Sequence, residues 1–169
     1  DHGFDYQIGK SDWKKHLEKN PPRPIPGDIM TREDAAPHET IAERWNAEKL
    51  PVPYYDEDSE GTFFANKAVD FINQNKKDRF CLWVAFHEPH MPFGFPVEYR
   101  DKYNPANMPL PQANPEDERW IPEKFKHLTE DERKGIVASY YSSVEYMDKN
   151  VGLILDGLEK SGLADSTLV

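Results

Sequence analysis

An α/β fold, with a mainly parallel sheet flanked by helices, is the class the sequence predicts, and two observations predict it. The run "RFCLWVAF" (79–86) is apolar at nearly every position, as expected of a strand buried on both faces of a parallel sheet. Stretches of helical periodicity precede and follow it, and "STLV" at the end would start another strand. Helix, buried strand, long loop, helix and strand together make a unit with a right-handed crossover.

Taken in order, residues 1–58 are rich in proline and charge, and "NPPRPIPGD" (20–28) and "KLPVPYYDEDSEG" (49–61) read as irregular surface segments. This stretch is expected to be an irregular excursion pinned to a neighbouring core by Tyr6, Trp13 and Trp45. Residues 59–169 form the core piece. From Thr62, the residues Phe64, Ala65, Ala68, Val69, Phe71 and Ile72 recur at helical spacing and predict about four turns, ending near "NQNKKD". The strand 79–86 follows, then the loop "HEPHMPFGFP" (87–96). A second long helix begins at "LTEDE", where Thr129 and Glu132 have the spacing of a capping box. Ile136, Tyr140, Val144, Met147, Val151, Ile154 and Leu158 mark its expected buried stripe, and Gly162 sits where a left-handed cap is wanted.

Composition narrows the function. Acidic residues outnumber basic ones 31 to 21, for a formal charge of −10, which disfavours nucleic acid or an anionic membrane as partner. No apolar run approaches the roughly 20 residues of a membrane span. One cysteine, Cys81, excludes an internal disulfide and a cysteine-based zinc site. The chain opens at Asp1 without an initiator methionine and stops at Leu168 and Val169, so it reads as a piece of a longer protein.

The loop at 87–96 carries the chemistry. In open α/β sheets ligands collect beyond the carboxyl ends of strands, where His87, Glu88 and His90 fall. Pro89, Pro92 and Pro96 disfavour helical geometry before them and predict a stiff, largely extended loop. An extended chain alternates sides, so His87 and His90 are expected to point apart, against a two-histidine zinc site. A single imidazolium on a rigid loop can bind an anion and give a proton to a departing oxygen, and His90 is the better presented of the two. The competing account is a loop histidine bonded to a backbone carbonyl, with His87 structural and Glu88 a solvated carboxylate. Phe93, Phe95 and Tyr99 would lie on the leaving-group side.

Weaker candidates surround it. Asp1-His2-Gly3 resembles a metal-binding motif, but no apolar strand precedes it. His16, His38 and His127 read as surface residues. The cluster "YYDEDSE" (54–60) lacks the spacing of a calcium loop and reads as a solvated acidic run. In "YYSSVEYMD" (140–148) the tyrosines fit helix packing.

The segments "KAVDFINQNKKDRFCLWVAFHEPHMPF", "YRDKYNPANMPLP" and "ERKGIVASYYSSVEYMDKNVGLILDGLEKSGLADSTLV" together resemble the sulfatase family, within the alkaline-phosphatase-like superfamily, and most of all its members acting on sulfated sugars and polysaccharides. "GFDYQIG" (3–9) is similar to the family's G-F-D segment, which removes Asp1-His2-Gly3 from the metal role. The resemblance implies an alkaline-phosphatase-like fold of which residues 1–169 are a partial catalytic domain. It implies hydrolysis of sulfate esters in which a cysteine of a C-x-P-x-R motif becomes formylglycine, a calcium ion helps neutralise the sulfate, and the loop histidine matching His90 contacts it. His87, Glu88 and Phe93 would complete the substrate-binding wall.

Departures qualify that picture. Cys81 lies in "CLWVA", not C-x-P-x-R, and inside the expected strand, so it is not the formylglycine precursor. The nucleophile and calcium ligands are expected outside this segment, which itself holds no metal ligands and is expected to be inactive alone. Phosphodiester or phosphonate monoester hydrolysis, or a non-catalytic glycan-binding role, are the alternatives. The family suggests a periplasmic, secreted or lysosomal location; the sequence leaves the oligomeric state open.

Overall fold

The computed structural model describes residues 3–112 and 114–169. Five α-helices are present among them: α1 (Lys10–Lys19), α2 (Ile41–Arg44), α3 (Glu60–Gln74), α4 (Glu123–Lys126) and α5 (Glu130–Lys160). Short 3-10 turns fall at Asp56–Asp58, Val97–Tyr99, Pro105–Asn107, Pro115–Trp120 and Ala164–Ser166.

The two long helices form where periodicity places them. α5 spans about 46 Å at 1.5 Å per residue. It starts at the expected capping box: the Thr129 hydroxyl accepts the Glu132 amide (3.2 Å) and the Glu132 carboxylate accepts the Thr129 amide (2.7 Å). Past its end, Gly162 adopts φ +78°, the left-handed conformation that glycine takes without a Cβ penalty.

α3 and α5 pack side by side and run parallel. Near the start of α3, Thr62 meets Tyr146 and Asn150, and further along, Val69 lies against Gly157. Glycine permits the second contact, because a Cβ on Gly157 would sit 2.7 Å from Val69 Cγ2. Two parallel helices in one layer are what successive strand–helix units require.

Four sequence expectations need correction. Among the described residues there is no strand. Residues 79–86 alternate instead between exposed and half-buried positions, Phe80, Leu82, Val84 and Phe86 turning inward while Trp83 remains 78 % exposed. That is the side-chain period of a strand, but a ladder needs a hydrogen-bonding neighbour and none is present for this segment. Cys81 is consequently exposed rather than buried. The terminal "STLV" also forms no strand, and Leu168 is fully exposed.

Second, residues 1–58 are not wholly irregular. α1 forms because Trp13 is buried, donating its indole N–H to the Asp58 carbonyl (2.9 Å) and meeting Tyr54 edge-on. α2 forms behind a capping box, Thr40 to Glu43. The pinning role of Trp13 and Trp45 holds, and Tyr6 stacks on Phe71 while staying exposed.

Third, of the expected apolar stripe on α5 only Leu158 is buried, and Ile136, Val144, Met147 and Ile154 are half-buried; most of the buried face is made of other residues. That face is Gly135, Ala138, Ser139, Ser142, Ser143, Tyr146 and Asn150, with Gly157 and Leu158. Small side chains win here because the chain at 46–47 presses on the helix: Ser139 donates to the Asn46 carbonyl (2.6 Å), and a Cβ on Gly135 would lie 1.9 Å from the Ala47 carbonyl oxygen. Tyr140 and Val151 of the expected stripe are exposed.

Fourth, Phe95 and Tyr99 are core residues, 0 % and 5 % exposed, clustered with Tyr146. Neither presents its ring at the surface. Asp1 and His2, of the D-H-G reading, lie outside the described residues.

Candidate functional site

The segment from His87 to Phe93 consists of two consecutive tight turns. The His90 amide donates to the His87 carbonyl (2.9 Å), the Phe93 amide to the His90 carbonyl (3.1 Å), and the Glu88–Pro89 and Met91–Pro92 bonds are cis. Each turn reverses the chain, so the loop is not extended. The two imidazoles therefore do not point apart. Their ring centres lie 5.1 Å from each other, with planes tilted by 35°, and both residues are exposed.

His90 Nδ1 lies 2.5 Å from the Met91 carbonyl oxygen. A carbonyl only accepts, so Nδ1 carries the hydrogen and Nε2 is the ring nitrogen left for a ligand. When the ring is protonated, Nε2–H is a cationic donor at the exposed tip of the loop. Two imidazoles fall short of the three or four protein ligands of a zinc centre. Among the described residues no group of three or more His, Cys, Asp or Glu could hold a metal ion. Cys81 has no C-x-P-x-R surroundings.

Glu88, between the histidines, is half-buried rather than solvated. Burial pushes its carboxyl above the ordinary carboxylate range, Glu60 adds to the rise, and its own backbone amide and Lys10 oppose it. Phe93 is buried at φ +36°, its ring edge-on to both Trp45 (5.5 Å) and Tyr140 (5.3 Å). It also floors an apolar groove with Leu110, Pro111, Ile136, Tyr140 and Tyr141.

The chain leaving this loop is held tightly. The Val52 amide donates to the Phe95 carbonyl (2.9 Å) and the Val97 amide to the Tyr54 carbonyl (3.1 Å). Just beyond, Asp56 becomes a hub that sequence reading took for part of a solvated acidic run. Its Oδ1 accepts from the Lys149 ammonium and the Thr62 hydroxyl, both at 2.5 Å, and its Oδ2 accepts from the Tyr99 hydroxyl (3.2 Å). Its amide donates to the Glu98 carboxylate (2.9 Å). Lys149 also reaches Thr62 Oγ1 and Asn150 Oδ1, and the Tyr146 hydroxyl accepts the Thr62 amide (3.0 Å). Burial pushes the Tyr146 phenol up to about 12, and burial together with Asp56 raises that of Tyr99, so both act here as neutral hydrogen-bonding groups. Asp56 before α3 and Thr62 in its first turn carried no sequence signal for Lys149, which lies 93 residues beyond Asp56.

His16 and His127 are exposed, as expected, and His38 is half-buried. The candidate site is therefore the His87–His90 pair with Glu88, followed in the chain by the buried Phe93.

The sulfatase family model matches residues 1–169. Human iduronate 2-sulfatase is 31 % identical over 127 residues, 61 % of this chain and 23 % of that protein. An ulvan-active sulfatase of Formosa agariphila is 28 % identical over 131 residues, 70 % of this chain and 23 % of its own length. The chain thus spans about a quarter of the length of these curated relatives. Among solved structures, the phosphonate monoester hydrolase of Agrobacterium radiobacter superimposes with a TM-score of 0.65 at 21 % identity, over 94 % of this chain and 34 % of that one. At that identity the likeness concerns the fold, which is alkaline-phosphatase-like.

Proposed function

The chain belongs to the sulfatase family, and from that premise we propose that the intact protein hydrolyses sulfate esters, with this segment supplying one wall of the active site. The observation that carries the reading is the His90 imidazole, whose Nδ1 is committed to the Met91 carbonyl and whose Nε2 is free at the loop tip. In sulfate ester hydrolysis the bond between sulfur and the ester oxygen breaks, and the departing oxygen needs a proton. His90 meets both demands: its imidazolium attracts the sulfate and its Nε2–H protonates the leaving oxygen. His87, one ring contact away, adds a second donor toward the anion, and Phe93 holds the turn from below. Glu88, half-buried between the two histidines, contributes a polar edge to this wall.

Formylglycine would supply the nucleophile and calcium the countercharge when present in the intact protein, from residues outside this segment. The substrate class is a sulfated sugar or polysaccharide, following the relatives named above, and the location is periplasmic, secreted or lysosomal. We also infer that residues 79–86 become a strand of a mainly parallel sheet once neighbours from the rest of the chain pair with them; their alternation of inward and outward side chains supports this. No helix among the described residues is long and apolar enough to cross a membrane.

The test is His90→Ala in the intact protein, with an aryl sulfate and its matched phosphonate ester as substrates. We expect kcat/KM for the sulfate to fall roughly 100-fold or more, the range of general acid catalysis. Wild-type turnover in the variant would remove His90 from the site, and preferential turnover of the phosphonate by the wild type would move the protein to phosphonate or phosphodiester hydrolysis.

A further inference from the structure

The loop bearing His90 has two stems, and they are held differently: the first by side-chain packing such as Phe80 on Phe71, the second by hydrogen bonds. Residues 79–86 make no backbone hydrogen bond to another element among the described residues, whereas 95–99 are tied down at four successive points. Two are backbone bonds, Val52 to Phe95 and Tyr54 to Val97. The other two converge on one residue: the Asp56 amide binds the Glu98 carboxylate and the Asp56 carboxylate binds the Tyr99 hydroxyl. The same carboxylate is clamped from behind by Thr62 of α3 and Lys149 of α5.

Asp56 is thus the place where the stem, α3 and α5 meet. Its oxygens are both engaged by these side chains, so it is not a ligand-binding acid. From Tyr99 back to His90 the chain has little slack: Phe95, Val97 and Tyr99 are buried, the Phe93 ring is wedged between Trp45 and Tyr140, and a turn bond joins Phe93 to His90.

We propose that Asp56 is a positioning residue that sets the reach of His90 to the leaving oxygen. This rests on the reading of His90 as proton donor. A misplaced donor matters most when the departing oxygen is basic and least when it leaves readily as an anion. The intact protein is therefore assayed with phenyl sulfate and 4-nitrophenyl sulfate as wild type, Asp56→Asn, Tyr99→Phe and His90→Ala. Tyr99→Phe removes one hydrogen bond while keeping the ring in the core, and so reports even where Asp56→Asn disturbs folding.

We expect Asp56→Asn to lose ~10-fold in kcat/KM on phenyl sulfate and only ~2-fold on the nitrophenyl ester, Tyr99→Phe to follow the same direction with a smaller loss, and Asp56→Asn to add nothing in a His90→Ala background. Equal losses on both esters in Asp56→Asn and Tyr99→Phe would make the network structural only and overturn the proposal. So would unchanged rates on both. If His90→Ala itself shows no dependence on the leaving group, the reading of His90 falls, and this inference falls with it for that distinguishable reason.

Discussion

Glu88 shows how a single side chain can differ from its sequence appearance. Between two histidines and a proline it resembles a solvated carboxylate, yet the turn folds it inward and burial raises its pKa. Where the folded pKa exceeds the unfolded one, the folded state holds more protons, so this group's contribution is fully present below the ordinary carboxylate value of 4.5 and is lost as pH rises through the folded value. Glu88→Gln cannot ionise and lacks that loss. Melting curves of the intact protein should show the gap between Glu88→Gln and wild type widening as pH rises from the carboxylate range; a gap independent of pH would mean that Glu88 is fully hydrated. The exposure of the loop histidines was legible because the flanking prolines and the place after an apolar run are local features. The pairing of His87 with His90 was not, because the same proline-containing tetrapeptides suit extended chain and tight turn alike, and only the hydrogen bonds from 90 to 87 and 93 to 90 distinguish them.

At the level of elements, α3 and α5 were legible from period and caps, whereas α1 and α2 were not. The Thr40–Glu43 capping box has the same spacing as Thr129–Glu132, but the helix behind it is a single turn with no apolar stripe to draw the eye. The buried face of α5 was missed for a different reason: hydropathy ranks Ile136 and Val144 above Gly135 and Ser139, but close approach of a neighbouring backbone selects small size instead. Two glycines of α5 put this to the test. Gly135→Ala would drive a Cβ into the Ala47 carbonyl, and the overpacking should cost about 1–3 kcal/mol or more, outweighing the gain in helix propensity. Gly152→Ala meets nothing within 4 Å and should stabilise by about 0.5–1 kcal/mol. Equal effects at the two positions in denaturant titrations of the intact protein would contradict the packing described.

For the whole molecule, several large apolar residues of the described chain remain at the surface. Trp83 is 78 % exposed, and Leu155 and Val151 of α5 are also open. Apolar surface of this kind is ordinarily covered. The 169-residue chain expressed alone should therefore enhance the fluorescence of a hydrophobic dye that the intact protein does not bind; a dye-silent, cooperatively melting segment would show that it completes its own core. The asymmetry of the histidine loop also bears on how the chain tolerates being cut. Scission of the bare stretch after Arg79 separates the polypeptide into two pieces, yet Val52 with Phe95, Tyr54 with Val97 and Asp56 with Lys149 all join one piece to the other. After such a cut the stem from Phe95 to Tyr99 would still be tied to residues 52–56 on the other piece.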